Sequence, residues 1–265
     1  MMDNNAAALK IAERFILLPL EKRRIYLQKM AQEGISPANL PIPRTRGHFE
    51  HVPLSFAQQR QWFIWQLEPH SSAYAIARAL RLHGTLDLAA LEGAFAHLIA
   101  RHEPLRSTFH EHDGQAIQVI AEPSAPNIVA EPLACSADPA QRDQQIRAAV
   151  QAETLRPFDL GTGPLLRVKL LRLAADDHVL VLTQHHIVSD GWSMQIMVDE
   201  LVRVYAALSS GGSIDLPALP IQYADYAIWQ RHWMEAGEQE RQLSYWRDQL
   251  GTTQPVLEMP THNPL

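Results

Sequence analysis

The chain has 265 residues, of which 46% are hydrophobic, 20% charged and 7% aromatic, a globular composition with room for one large or two small domains. The net charge of -6 at pH 7 provides no overall basic surface for nucleic acid. A single cysteine, Cys135, excludes an intramolecular disulfide framework and a cysteine-based zinc site.

Apolar runs such as Phe15–Leu18 and Val179–Leu182 are far below the ~20 residues that a membrane helix needs. The first residues, MMDNNAAALK, lack a basic flank that leads into an apolar segment, so no secretory signal is visible. We therefore expect a soluble, cytoplasmic protein whose partners include neither nucleic acid nor a membrane.

Residues 6–33 carry apolar side chains at helical spacing, and Pro19 interrupts them, which predicts two consecutive helices. Three prolines within residues 35–47 then predict an extended linker. Residues 1–47 are therefore predicted to form a separate helical segment with a proline-rich linker. This segment is either a solvated amphipathic region or a docking element for a partner protein.

Beyond residue 52, helical and strand patterns alternate without a strict β-α order. The predicted helices are Ser55–Leu67, Asp87–Ala100, Asp138 or Pro139 to about Leu155, Asp190–Leu208, Ile221–Ala236 and Glu238–Leu250. The predicted strands are Tyr74–Leu82, Leu105–Glu111, Gln115–Ala121, Leu165–Leu173 and His178–Ile187. Asp113-Gly114 predicts a tight hairpin turn. This order favours an α+β fold, in which helices cover one face of an antiparallel or mixed sheet.

The segment QHHIVSDGWSM, Gln184–Met194, lies between an apolar strand and an amphipathic helix. Adjacent strand residues point to opposite faces, so only one of His185 and His186 can face a given pocket. The other must be packed or hydrogen-bonded behind it. Asp190 is placed to cap the following helix, and Gly191 allows a close backbone turn.

Four interpretations of these residues are open from the sequence alone. One histidine performs acid–base or positioning chemistry, or a core histidine simply lies beside an aspartate that caps a helix. A metal site is the third interpretation, although no third ligand has suitable spacing. A Ser-His-Asp hydrolase is the fourth, although Ser189 and Ser193 lie outside any G-x-S-x-G elbow.

HHIVSDG matches HHxxxDG, the signature of condensation domains of non-ribosomal peptide synthetases and of related chloramphenicol acetyltransferase-like acyltransferases. Three further segments resemble motifs of this family in the same order, with Ser107 in place of the usual threonine. They are LSFAQQRQWFIWQL (Leu54–Leu67), RHEPLRSTF (Arg101–Phe109) and YADYAIWQ (Tyr223–Gln230). The resemblance extends from Val52 to the C-terminus.

The resemblance implies a chloramphenicol acetyltransferase-like lobe over residues 48–212 and, over residues 213–265, helices that lead into a truncated second lobe. It implies an amide-forming acyltransferase that joins a carrier-bound aminoacyl or peptidyl thioester to a carrier-bound amine. The thiols belong to phosphopantetheine arms of donor and acceptor peptidyl carrier proteins, so the chain itself is expected to bind no cofactor or metal. Adjacent synthetase domains are the other expected partners.

The resemblance also assigns residues. His186 matches the catalytic histidine, as a base or a positioning group. The remaining motif positions are His185, Asp190, Gly191 and Trp192 around it, and the structural arginines Arg60 and Arg106. Asp190 is expected to be structural and paired with an arginine. A non-catalytic docking or carrier-binding fragment and a stand-alone acyltransferase are the alternatives, and the activity of the chain alone stays open.

Overall fold

A computed structural model describes residues 2–45, 47–134 and 136–253; Cys135 and the tail from Gln254 onward lie outside the described residues. The α-helices are α1 Met2–Leu17, α2 Leu20–Gln32, α3 Phe56–Leu67, α4 Leu88–Arg101, α5 Pro139–Thr154, α6 Gly191–Ser209, α7 Tyr223–Trp233 and α8 Gln239–Leu250. The strands are β1 Val52–Pro53, β2 Ala75–His83, β3 Ser107–His112, β4 Gln115–Ile120, β5 Ala130–Pro132, β6 Leu166–Ala174 and β7 Asp177–His185. The predicted α+β class is confirmed.

The larger sheet has the strand order β2-β7-β6-β5. Strand β7 is antiparallel to both β2 and β6, whereas β5 pairs with β6 in parallel, so the sheet is mixed as predicted. All residues of β7 after Asp177 are buried, because this central strand has neighbours on both edges and helices on both faces. Its continuous apolar run Val179–Leu182 is typical of a strand that is buried on both sides.

The expectation that helices cover one face of this sheet is wrong. Helices α4 and α6 pack on one face, where Phe95, Leu98 and Leu201 contact Leu180 and Leu182 in the main core. On the opposite face, α5 packs with its apolar stripe against a second cluster that contains Leu171, Val179 and Val181. The alternating side chains of β7 thus enter two separate cores.

The smaller sheet contains the hairpin β3–β4, extended by the short strand β1. Asp113 and Gly114 form its turn with φ of 49° and 73°, the left-handed backbone that the Asp-Gly pair predicts. The predicted strand from Leu105 is wrong at its start. Glu103–Arg106 form a 3-10 turn, and the strand begins at Ser107.

Several helix starts agree with the predicted caps. The Asp87 side chain accepts a hydrogen bond from the Ala90 N–H, and Asp138 caps α5 in the same way. Pro19 separates the first two helices, as predicted. The predicted strand to Ile187 is too long, since β7 ends at His185 and the chain turns there.

The chain divides into two compact units, of which one is Arg44–Ile228 and the other joins the segment up to Pro43 with that from Trp229. In the second unit, Phe15 and Ile16 are buried, and the His232 Nδ1 atom lies 3.1 Å from the Ile16 carbonyl oxygen. The predicted domain boundaries at residues 47 and 212 stay predictions. Among the described residues, no helix combines the length and the apolar character that a membrane span requires.

Candidate active site

The two adjacent histidines at the end of β7 lie in opposite environments. His185 is the last residue of the strand and is buried, whereas the His186 side chain is exposed. The backbone fixes this division, because the His185 N–H donates to the Leu165 carbonyl on one side and the His186 N–H donates to the Tyr74 carbonyl on the other. Strand alternation therefore presents only His186 to the surface at this point.

His185 is a packed histidine whose polar atoms are used within the fold. Its ring lies among the rings of Tyr74 and Phe158, with centroid distances of 6.2 and 5.9 Å. The Ile187 N–H donates to its Nδ1 atom over 3.1 Å, so the neutral ring carries its proton on Nε2. Burial, helped by the neighbouring charge of His186, lowers the pKa of His185 to about 4. His185 is thus neutral at pH 7.

Asp190 begins the next helix. Its Oδ1 atom accepts the Ser193 N–H over 2.7 Å, which is the helix cap that the sequence predicts. Hydrogen bonds from the Ser193 backbone and hydroxyl lower the pKa of this carboxyl, and the nearby His186 adds a smaller contribution. Within residues 2–45, 47–134 and 136–253, no arginine pairs with Asp190. Gly191 opens α6 with a backbone outside the left-handed region, and the close backbone turn expected there stays a prediction.

His186 and Asp190 both line a cavity of about 400 Å³ in the Arg44–Ile228 unit. The walls come from α3, from the 3-10 turn after α4, from the loop that follows β7, and from the first turns of α6. Two glutamines of α3 attach this loop, since Gln58 and Gln61 donate over 3.4 Å to the carbonyl oxygens of Ile187 and His186. The cavity therefore holds an exposed imidazole on a loop that two hydrogen bonds from α3 hold in place.

The other predicted site residues divide between this cavity and the rest of the unit. Arg60 lines the cavity from α3. Trp192 is 80% exposed and is not among the lining residues. Arg106 lies elsewhere, where it donates to the Ala121 carbonyl oxygen and lies 3.7 Å from the Glu103 carboxylate. Its contacts are those of a residue that holds the start of β3.

Sequence reasoning missed a second histidine of the cavity. His102 lines the same cavity as His186, and its Nε2 atom lies 2.6 Å from the Glu200 carboxylate. Gln61, Gln184 and Tyr223 are further polar lining residues that the sequence did not single out. His102 stands inside the segment RHEPLRSTF, but its partner Glu200 lies 98 residues away, so only the fold reveals the pair.

The model of the condensation domain family matches residues 49–265 of this sequence. The chain belongs to the condensation domain family. The resemblance drawn from HHIVSDG and its three companion motifs is thereby confirmed. So is the chloramphenicol acetyltransferase-like fold, since the solved structures similar to this chain are condensation domains and a related domain.

This condensation-domain chain is 45% identical over 225 residues to a linear gramicidin synthase of Brevibacillus parabrevis, covering 85% of the chain and 3% of that protein. It is 39% identical to phosphinothricin tripeptide synthetase PhsC of Streptomyces viridochromogenes, covering 90% of the chain and 22% of that protein. The X-domain from teicoplanin biosynthesis, solved in complex with OxyB, superposes with a TM-score of 0.71 and 30% identity over 82% of the chain.

The starter condensation domain of rhizomide synthetase RzmA superposes with a TM-score of 0.67 and 25% identity over 76% of the chain. The chain spans 47% of the X-domain chain and 48% of the rhizomide domain chain. It thus corresponds to about half of each solved relative and to a small part of each synthetase.

Proposed function

We propose that this chain is the N-terminal part of a condensation domain that forms an amide bond between two carrier-bound substrates. The donor is an aminoacyl or peptidyl thioester, and the acceptor is the amine of an aminoacyl group on a second carrier protein. The observation that carries the proposal is the exposed His186 imidazole in the cavity of about 400 Å³, within a chain that matches the condensation family.

In this reaction the acceptor nitrogen attacks the thioester carbonyl carbon, a C–N bond forms, and the C–S bond breaks. The electrons of that bond leave with the phosphopantetheine sulfur of the donor carrier, and the amine loses a proton. His186 either takes this proton or holds the amine by a hydrogen bond. General base catalysis contributes about 10²–10⁴-fold, and alignment of the two substrates can contribute more.

The proposal gives the other residues supporting roles. Asp190 starts α6 and fixes the turn that presents His186. Arg60 stands at the cavity wall, where a cation suits the phosphate of a phosphopantetheine arm. The residues of the segment 1–47 form a docking element for a neighbouring synthetase domain, and residues 48–212 and 213–265 correspond to the first lobe and to the helices that lead into the second.

The share of the solved domains that this chain spans favours one second candidate function. On its own, the polypeptide would then bind a carrier protein without completing the reaction. The two candidates differ in a single observable, which is the appearance of a dipeptide on the acceptor carrier.

The test uses two carrier proteins that are loaded with a panel of aminoacyl donors and acceptors. We expect dipeptidyl carrier to appear by intact-protein mass spectrometry with the 265-residue chain. The rate should fall by about 10²-fold or more in His186→Ala, because the group that takes the proton or holds the amine is lost. His48→Ala is the matched control, since His48 is an exposed histidine outside the cavity.

Product that forms in His186→Ala at the rate of the wild-type chain would contradict the role of His186. A folded chain that gives no product but binds a loaded carrier would support the second candidate. A folded chain that neither binds a carrier nor forms product would contradict both candidates.

A further inference from the structure

His102, the second histidine of the cavity, is held by two charged residues behind it. Its Nε2 atom lies 2.6 Å from Glu200 Oε2, and the Arg101 Nε atom lies 3.2 Å from both oxygens of the same carboxylate. Glu200 comes from α6 and Arg101 from the end of α4. Neither charged residue is among those that line the cavity, whereas His102 is.

This arrangement determines which ring nitrogen of His102 donates a hydrogen bond to Glu200. The Glu200 carboxylate, which is paired with Arg101, only accepts hydrogen bonds, so the His102 Nε2 atom must donate. In the neutral ring, Nδ1 then carries a lone pair. Among the described residues, this Nδ1 atom has no hydrogen-bond partner and is not one of the buried unpaired atoms. In the neutral ring, Nδ1 is therefore an acceptor that remains open to a ligand.

Two further acceptors belong to the same cavity. The Oε1 atoms of Gln61 and Gln184 are buried and, among the described residues, unpaired, in side chains of residues only 8% and 1% exposed. A buried amide oxygen without a donor is unfavourable. Because both oxygens lack exposed surface, they do not contact a ligand directly, and the exposed acceptor of this group is His102 Nδ1. The carboxylate of Asp190 is already used by Ser193.

We infer that Nδ1 of His102, held by Glu200, accepts a hydrogen bond from the amine of the acceptor substrate in the cavity that His186 shares. The inference rests on the proposed function, because it places the acceptor amine in this cavity. His102 is then a substrate-binding residue, and Glu200 is a positioning residue that acts through it.

Two substitutions of His102 distinguish a role in which Nδ1 binds the ligand from a role in which the ring only supports Glu200. His102→Gln can offer an N–H to Glu200 from the Nε2 position but has no acceptor at Nδ1. His102→Asn can place its amide oxygen where Nδ1 stood but no longer reaches Glu200, which keeps Arg101 as a partner. The probe is alanine joined to pantetheine through a stable amide in place of the thioester, with propionyl pantetheine amide as the amine-free control.

We expect His102→Gln to raise the Kd of the alanyl probe about threefold to tenfold, the effect of one lost hydrogen bond. His102→Asn should bind closer to wild type, and the propionyl probe should bind all three proteins equally. The opposite order, with His102→Gln silent and His102→Asn weakened, would mean that His102 only supports Glu200 and would overturn the inference.

Histidine ¹⁵N spectra of the full chain give a readout that needs no turnover. We expect the neutral His102 ring of the free protein to be the tautomer with an unprotonated Nδ1, and the alanyl probe to shift both His102 and His186. Buried His178 of β7, outside the cavity, should not move. Spectra of His102→Gln and His186→Ala assign the signals.

A neutral His102 ring with its proton on Nδ1 in the free protein would overturn the inference whatever the probe does. A probe that shifts His186 but not His102 would also overturn it and leave the proposed function standing. A probe that shifts neither histidine would contradict the proposed function and the inference together.

Discussion

At the scale of single residues, two adjacent histidines lie in opposite environments. His185 accepts the Ile187 N–H between two aromatic rings, whereas His186 stands exposed in the cavity. Burial keeps the pKa of His185 at about 4, below its ordinary value of 6.5. In the unfolded chain the same ring titrates near the ordinary value, so the unfolded state binds more protons between these two pH values.

Because the unfolded state binds more protons than the folded state in this pH range, we expect the folded protein to lose stability in acid. Stability contributed by neutral His185 is complete above pH 6.5 and is lost as the pH falls towards 4, by about 2 kcal/mol between pH 7 and pH 5. His185→Asn places an amide oxygen near the Nδ1 position, so it can still accept the Ile187 N–H, but it does not titrate. We expect the free energy of unfolding in urea to fall less between these pH values in the variant than in wild type.

Exposed His48→Asn is the matched control for this measurement. Because burial also lowers the pKa of His232 to about 4, both proteins retain some acid sensitivity. An identical pH dependence in wild type and His185→Asn would contradict the assignment of His185 as a buried neutral ring.

The sequence explains part of this site. Strand alternation requires that one histidine of the pair be packed, and the Asp190 cap follows from its position before an amphipathic helix. The residues alone did not decide which histidine faces the cavity; the family resemblance indicated His186. The His102–Glu200 contact could not be predicted from the sequence, because it depends on how α4 and α6 pack on the sheet.

At the scale of elements, the end of α5 is held by a residue of the next strand. The Arg167 Nη2 atom donates to the carbonyl oxygens of Glu153 and Arg156 at 3.0 and 2.9 Å, and its Nε atom donates to the Glu153 carboxylate at 2.7 Å. The guanidinium carbon also lies 3.8 Å from the centre of the Phe158 ring. Arg167 therefore adds hydrogen bonds to carbonyl groups at the end of the helix, where the regular intrahelical donors run out.

This contact predicts unequal effects of two neighbouring substitutions. Glu153→Ala leaves the Arg167 guanidinium without its buried carboxylate and should lower the free energy of unfolding by about 3 kcal/mol. Arg156→Ala removes a side chain that is 63% exposed and should cost less than about 1 kcal/mol. Urea unfolding of both variants measures the difference, and equal losses would contradict a structural role for the buried pair.

Elements with a strong local signal were predictable, and those that depend on distant contacts were not. The β3–β4 hairpin follows from Asp113-Gly114, whose backbone demands a left-handed turn. Strand β5 has three residues and pairs in parallel with β6, so it has no periodicity of its own. The 3-10 turn at Glu103–Arg106 has apolar and polar residues that also fit a strand. One of its contacts comes from far along the chain, since the Gln222 side chain accepts the Glu103 N–H.

At the scale of the whole molecule, the ends of the Arg44–Ile228 unit are joined by one buried carboxylate. Asp225 Oδ1 accepts both the N–H and the hydroxyl of Thr45, at 2.6 and 2.7 Å, across 180 residues of sequence. Its Oδ2 atom accepts the Gln222 N–H over 2.8 Å. Thr45 and Asp225 are both buried, so water cannot replace these bonds.

Thr45→Val keeps the shape and the backbone N–H of residue 45 but removes the hydroxyl that Asp225 accepts. We expect this loss to lower the free energy of unfolding by about 2 kcal/mol, the value for a hydrogen bond to a charged group. Thr85→Val in an exposed loop is the control and should change stability little. Indistinguishable urea midpoints for the two variants would contradict a closing role for the Thr45–Asp225 contact.

The central place of β7 has a consequence for the chain as it leaves the ribosome. Ala75 of β2 pairs with His185, so β2 emerges roughly 100 residues before the strand that completes it. At about 5–20 residues per second, its partner arrives on the order of 5–20 s later. The β6–β7 hairpin, closed by a short turn, can form at once, and β2 can dock only afterwards. Synthesis of β7 therefore supplies the central strand of the sheet, and His186 is the next residue that the ribosome adds.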